Sequence, residues 1–157
     1  YNDLGVDAVV IKPAYIVDPI TIAAPAAISN SVTNWDNLVG LNGVTSANFR
    51  PDDKSQGVFS SYLDISTTGT FIDDLLAVQN GAYKYILGSE LQLSYAIKNH
   101  NIAKDLVIVK NLNNVNGVHM AFANNSSCKL YDIYVQKRLQ DYKNNGTVEK
   151  IMRQYIY

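Results

Sequence analysis

Three features of the sequence predict an α/β fold. Strand-like runs alternate with helix-patterned segments from residue 42 onward, the spacers between them are mostly two to seven residues, and no internal repeat or low-complexity tract interrupts the order. At 157 residues the chain has the length of one domain or of part of a larger one.

Residues 6–11 (VDAVVI) are β-branched and almost wholly apolar, the pattern of a strand buried on both faces, and Pro13 closes the run. Residues 15–23 (YIVDPITIA) are again strand-like. Pro19 in their middle requires an edge position, a bulge or a segment crossing between two bodies of structure. Thr33 is placed to cap a short helix over 34–39, which Gly40 ends, and 42–47 reads as a short strand. Asp52 or Asp53 can cap a helix running to Leu63 with Val58, Tyr62 and Leu63 inward. Gly57 weakens that helix by about 1 kcal/mol relative to alanine.

Thr70 caps a better punctuated helix over 71–80, with Ile72, Leu75, Leu76 and Gln79 near one stripe and Gly81 as the left-handed stop. Residues 83–87 (YKYIL) form a strand. Ser89 then opens another helix, with Gln92 completing a Ser-x-x-Gln capping box. Residues 106–112 and 118–123 are the last two strands. A long helix over 127–144 carries Tyr131, Val135, Leu139 and Tyr142 at spacings of four, four and three, as one buried face requires. Asn145-Gly146 ends it, and Thr147 caps a final helix.

The charge pattern excludes a nucleic-acid partner, because 13 basic residues are scattered against 14 acidic ones where a phosphate-tracking groove needs them clustered. The longest apolar-rich stretch, 15–28, is broken by Asp18, Pro19 and Pro25, so no run of about 20 residues could cross a bilayer. The sequence opens on Tyr1 without a basic, then apolar, leader, which points to a domain cut from something longer. One cysteine, Cys128, excludes an internal disulfide or a CxxC metal site. It reads as a half-buried small residue or as a thiolate at a helix start. His100 and His119 are too few and too far apart for zinc, so neither a metal nor another cofactor is expected. The 17 asparagines keep the surface polar through amides, and the acceptor-like triplets at Asn124 and Asn145 read as cap and turn chemistry.

The common dinucleotide, phosphate-loop, zinc-protease and serine-hydrolase motifs do not occur. Asp73-Asp74 could be a catalytic acid pair, but adjacent helical residues point about 100° apart, and in a first turn both complement the helix dipole. Arg50 follows a strand and precedes a helix, the end of an open α/β sheet where ligands gather, and could grip a carboxylate through two parallel hydrogen bonds. A solvated loop arginine is the alternative. Ser89-Glu90 sits at an equivalent junction, where capping accounts for the serine and ligand contact is open to both.

Residues 81–90 (GAYKYILGSE), followed by the two late strands and then by 139–151 (LQDYKNNGTVEKI), resemble the type II periplasmic solute-binding proteins, mainly the polar amino-acid receptors of ABC importers. Residues 33–40 (TNWDNLVG) look like that family's short helix before lobe two, and 12–15 (KPAY) like its crossing segment. The resemblance covers most of 12–156, with the order of the motifs as its substance. It implies an α/β fold of the type II periplasmic-binding-protein kind, made of lobe two and the C-terminal part of lobe one. Residues 1–32 would be crossing strands from lobe one, 33–112 lobe two, and 113–157 the return strand and C-terminal helices of lobe one. A complete clamshell would need about 230 residues, two cores of ordinary domain size, so much of lobe one is expected to be missing.

The function so implied is non-catalytic capture of a small polar, amino-acid-like solute by an extracytoplasmic receptor, with a membrane permease as partner. Tyr15, Thr45, Ser46, Asn48, Arg50, Ser89 and Glu90 are the candidate ligand residues, with no catalytic group and no metal. In the family the acid that holds an α-amine aligns with Ser89, next to Glu90, and the Gly-Thr/Ser loop corresponds to 45–48 without its glycine. A missing N-terminal fragment or self-association would cover lobe one. A cyclohexadienyl-dehydratase-like enzyme with Glu90 as acid, or a sensor or interaction domain of a larger protein, are the other readings.

Overall fold

The computed structural model describes residues 7–49, 57, 59, 61–99, 103–110, 112 and 117–156. In chain order the strands are β1 (Ala8–Val10), β2 (Ile16–Val17), β3 (Ile20–Pro25), β4 (Asn42–Ser46), β5 (Asp64–Thr68), β6 (Tyr85–Ser89), β7 (Leu106–Ile108), β8 (Gly117–Val118) and β9 (Ala121–Ala123). The α-helices are α1 (Ala26–Ser29), α2 (Phe71–Gln79), α3 (Glu90–Asn99), α4 (Asp132–Asn144) and α5 (Thr147–Tyr155), with 3-10 turns over Trp35–Leu38 and Ser127–Tyr131. Two compact units result, one from 7–17 with 117–155 and the other from 18–116. No described helix is long and apolar enough to cross a membrane.

The larger unit is a five-stranded sheet in the order β5-β4-β6-β3-β7. β4 runs parallel to both β5 and β6, while β3 is antiparallel to β6 and β7. Asp18-Pro19 divides the strand expected over 15–23 into β2 and β3, and β3 belongs to this sheet. The division therefore falls between Val17 and Asp18 and not at 32/33. Alternation along the strands sends Ile20, Ile22, Tyr85 and Leu87 into one core with Leu38, Phe59 and Leu63. Ala23, Val44 and Ile86 enter the other, which α2 and α3 cover with Leu75, Val78 and Leu93. On the first face Trp35 packs against Phe59 at 4.9 Å between ring centroids and donates from Nε1 to Leu112 O at 3.0 Å.

Several local expectations shift by one position. Asn34, not Thr33, caps the first 3-10 turn, because its side chain accepts from Asn37 N–H while the Asn37 side chain accepts from Asn34 N–H. Phe59 is buried and Tyr62 is 69% exposed, so the inward face there is rotated from the one expected. Val58 and the proposed caps Asp52 and Asp53 lie outside the described residues. In α2 the Thr70 cap forms, accepting from Asp73 N–H, and Gly81 follows with φ of 80°. Its buried residues are Asp74, Leu75 and Val78, with Leu76 and Gln79 exposed. β5 (DISTT) was not anticipated: it is an edge strand, only Ile65 and Thr68 are half-buried, and it lacks an apolar run.

In the smaller unit β1 pairs antiparallel with β9, and β2 with β8. Ile11 N–H, donating to Met120 O at 2.8 Å, and Tyr15 N–H, donating to Val118 O at 3.0 Å, link the two ladders. The strand expected to be buried on both faces is half-buried over Ala8–Val10, since a two-stranded ribbon has no second layer on each side. The helix expected over 127–144 begins as a 3-10 turn capped by Ser126 and becomes α-helical at Asp132. No residue of α4 or α5 is buried, Tyr131 is 62% exposed, and Cys128 is exposed where a half-buried site was expected.

Candidate functional site

Strand direction decides which residues gather in the larger unit. Because β4, β5 and β6 are parallel, their C-terminal residues Ser46, Thr68 and Ser89 share one edge of the sheet. Antiparallel β3 starts at that edge, with Ile20 opposite Ser89, so Asp18 and Pro19 lead into it. The helices that follow β5 and β6 begin there as well, presenting backbone N–H groups that need acceptors. In open α/β sheets this is the edge where ligands bind.

At the β4 end, Ser46 is buried, its Oγ accepts from Asn48 N–H at 3.4 Å, and its carbonyl accepts from Phe49 N–H at 2.9 Å. Ala47 N–H donates to Thr68 O at 3.1 Å, tying this loop to β5. Asn48 is exposed. Thr45 precedes the loop on the strand itself, where its hydroxyl donates to Leu87 O at 3.1 Å and is thereby committed to β6. Arg50 lies outside the described residues. Ser46, Asn48, Ser89 and Glu90 are thus placed at one sheet edge, while Tyr15 lies in the other unit, beside β2.

At the β6 end, Ser89 Oγ accepts from Gln92 N–H at 3.2 Å, which is the serine half of the expected capping box. Glu90 N–H donates to Pro19 O at 2.8 Å, and Leu91 N–H donates to Asp18 Oδ1 at 3.1 Å. Asp18 therefore acts as a second cap of α3, contributed from 73 residues away. Burial raises its pKa, opposed by the Leu91 N–H and the Ser89 hydroxyl, which stabilise the charged form. Sequence patterns missed Asp18 because its partners are remote; the available signal was an acid directly before the strand-breaking Pro19.

At the β5 end, the Thr68 hydroxyl donates to Asp74 Oδ1. Asp74 is only 1% exposed, and its Oδ2 has no hydrogen-bond partner among the described residues. Burial, and then the neighbouring Asp73, raise its pKa. Asp73 keeps the role expected of both acids: exposed in the first turn, it accepts from the Thr70 hydroxyl at 2.6 Å. Asp74 instead turns toward the strand ends. Among the described residues no group of three or more His, Cys, Asp and Glu is placed to hold a metal ion.

The smaller unit has an open cleft of about 620 Å³ whose lining includes Lys12, His119, Ile133, Lys137 and Asp141. None of the candidate ligand residues lines it.

This architecture is that of the type II periplasmic solute-binding proteins. The ligand-binding core of GluR0, solved with L-glutamate, superposes with a TM-score of 0.75 at 10% identity, over 96% of this chain and 65% of that one. An ancestral cationic amino-acid solute-binding protein gives 0.73 at 15% identity, over 96% and 63%. The amino-acid ABC transporter substrate-binding protein AbpA from Streptococcus pneumoniae, bound to L-arginine, gives 0.74 at 12% identity, over 99% and 63%. The chain thus spans less than two thirds of the length of these three proteins. No protein-family model matches the sequence, and no curated protein is detectably similar to it.

Proposed function

We propose that the chain captures a small polar, amino-acid-like solute without chemistry, as part of an extracytoplasmic receptor serving the permease of an ABC importer. The observation that carries this is the sheet edge itself: Ser46, Asn48, Ser89 and Glu90 converge there in a fold shared with solved amino-acid-binding proteins. In this reading the unit from 18–116 acts as lobe two, and 7–17 with 117–155 supplies part of lobe one. Loop 45–50, including Arg50, meets the solute from one side and Ser89-Glu90 from another, while Tyr15 marks the crossing segment. Closure would follow from contacts made only in the closed state. The exposed apolar side chains of the smaller unit, Leu130 and Ile133 foremost, would be covered by further lobe-one structure or by self-association.

Thermal-shift measurements against amino acids, polyamines and small carboxylates test the proposal. One solute class is expected to raise Tm, and Arg50→Ala to abolish the rise. Unchanged binding in that variant removes Arg50 from the site, and no rise with any class overturns solute capture.

A further inference from the structure

Resting on the solute-capture reading above, we propose that Asp18 is a positioning residue of the candidate site: from the segment that leads into β3 it holds the Ser89-Glu90 arm where that arm meets a solute.

The need for such a residue follows from where the β3–β6 ladder stops. Ile20 stands opposite Ser89 at this end of the sheet. The next residue outward on the β3 side is Pro19, which has no N–H to give, so full backbone pairing cannot run past it. Pro19 contributes its carbonyl alone, accepting from Glu90 N–H at 2.8 Å. Beyond it a side chain takes over from the ladder. Asp18 Oδ1 accepts from Leu91 N–H at 3.1 Å, and the Asp18 carboxylate also accepts from the Ser89 hydroxyl. Ser89, Glu90 and Leu91 are thus each bonded to Asp18-Pro19, a segment remote in sequence.

These bonds set how the arm is presented. Ser89 Oγ accepts from Gln92 N–H at 3.2 Å, and with its one proton given to Asp18 the hydroxyl no longer turns freely. Glu90 is anchored through its backbone N–H, between two neighbours that Asp18 holds, which leaves its side chain outside these bonds.

The Asp18 carboxylate is itself committed to the fold. Among the described residues no basic side chain forms an ion pair with it. Lys110, which the antiparallel pairing of β7 with β3 brings to the same edge, is exposed. Burial raises the pKa of Asp18, and its bonds to Leu91 N–H and the Ser89 hydroxyl oppose the rise, the balance of a half-buried carboxylate held by backbone and hydroxyl dipoles. The other arm of the site is tied more locally: Ser46 Oγ accepts from Asn48 N–H at 3.4 Å, and Ala47 N–H donates to Thr68 O on the adjacent strand. The β6 arm is the one whose placement draws on the segment before β3.

Calorimetric titration of the chain with L-glutamate, L-arginine, putrescine and succinate identifies the probe that binds the parent, and the variants are titrated with that probe. Asp18→Ala removes both acceptor contacts and is expected to weaken the probe about ten-fold, the size of one lost charged cap. Asp18→Asn keeps an oxygen for Leu91 N–H and is expected to recover most of that loss. Asn34→Ala removes the cap of the 3-10 turn that precedes β4, at the end of that strand away from Ser46, and is expected to lower Tm while leaving affinity unchanged. Asp18→Ser, whose oxygen stands one bond nearer the backbone and carries no charge, is expected to weaken the probe as well and serves if Asp18→Ala fails to fold. Unchanged affinity in the Asp18 truncation overturns the positioning role and leaves solute capture standing. A loss that Asp18→Asn does not recover, or that Asn34→Ala reproduces, overturns it too, the first as direct contact with the solute and the second as general destabilisation. Binding of no probe by the parent overturns the capture reading and the role that rests on it.

Discussion

Gly43 and Tyr85 stand directly opposite each other on β4 and β6, the strands that carry Ser46 and Ser89. The Tyr85 ring lies across the glycine: a Cβ at position 43 would fall 2.7 Å from Tyr85 Oη and closer still to ring atoms Cζ and Cε2, where ordinary contact begins at 3.4 Å. Position 43 has no positive φ, so the backbone itself accepts alanine. Removing a glycine should even stabilise by about 0.4–1 kcal/mol through the unfolded chain. The ring must therefore supply the whole cost. Tyr85 is fully buried among residues that include Ile22, Leu38 and Phe59, and a retreat of the required size cannot be absorbed there without moving neighbours. Overpacking of this kind costs about 1–3 kcal/mol, and the depth of the overlap puts Gly43→Ala at about 3 kcal/mol. Urea unfolding should show that loss. The same substitution in a Tyr85→Leu background, which lacks the clashing atoms, should cost less than about 1 kcal/mol, a coupling of about 2 kcal/mol. An equal cost in both backgrounds, or no cost in the first, refutes the reasoning.

Tyr85 Oη is buried without a hydrogen-bond partner among the described residues, and burial with the Asp64 charge pushes its pKa up to about 12. Tyr85→Phe should thus be neutral or stabilising near pH 7. Because the unfolded side chain ionises near pH 10 and the folded one resists, stability present below that pH is lost as pH rises toward 12. Urea midpoints between pH 9 and 11 should fall less in Tyr85→Phe than in the parent; parallel slopes would sink the idea. Asp74 has the same sign: its raised folded pKa makes its contribution largest below the ordinary carboxylate range and lost as pH rises through the folded value. Asp74→Asn retains an acceptor for the Thr68 hydroxyl and should gain stability over the parent as pH rises from 3 to 7, a trend whose absence counts against a desolvated carboxyl.

Local chemistry made most of the larger unit legible. The Thr70 cap, the Gly81 stop, the Pro19 interruption and the Ser89 cap each depend on groups within a few residues, and all appear in the fold. What depends on the third dimension was not legible. Asp74 reads from the sequence, with Asp73, as a first-turn acid complementing the helix dipole, yet it is buried, with the Thr68 hydroxyl making that burial tolerable, while Leu76 faces out. Asp18 looked like part of a broken strand, since Leu91 and Ser89 become its neighbours only when β3 pairs with β6. The polar β5 offered no hydrophobic period because an edge strand need not bury one. Ser46 and Ser89 stand at strand ends, as the loops that follow them in the sequence suggest, whereas Thr45, one residue from Ser46, turns its hydroxyl to the neighbouring strand.

The helices of the smaller unit show what periodicity can and cannot establish. Val148, Ile151, Met152 and Tyr155 lie on α5 at i, i+3, i+4 and i+7, as regular a stripe as any in the chain, yet Ile151 is 50% and Tyr155 59% exposed. α2 and α3 carry less regular stripes and bury Leu75, Val78 and Leu93. The difference lies in the sheet beside each pair. Five strands offer α2 and α3 a continuous apolar surface, whereas the described residues of the smaller unit form two-stranded ladders. An amphipathic period states what a helix is able to bury, and the neighbouring layer decides whether it does. On α4 and α5 the side chains left in that position are Ile133, Tyr134 and Tyr142, and Ile151 and Tyr155, which no described layer covers.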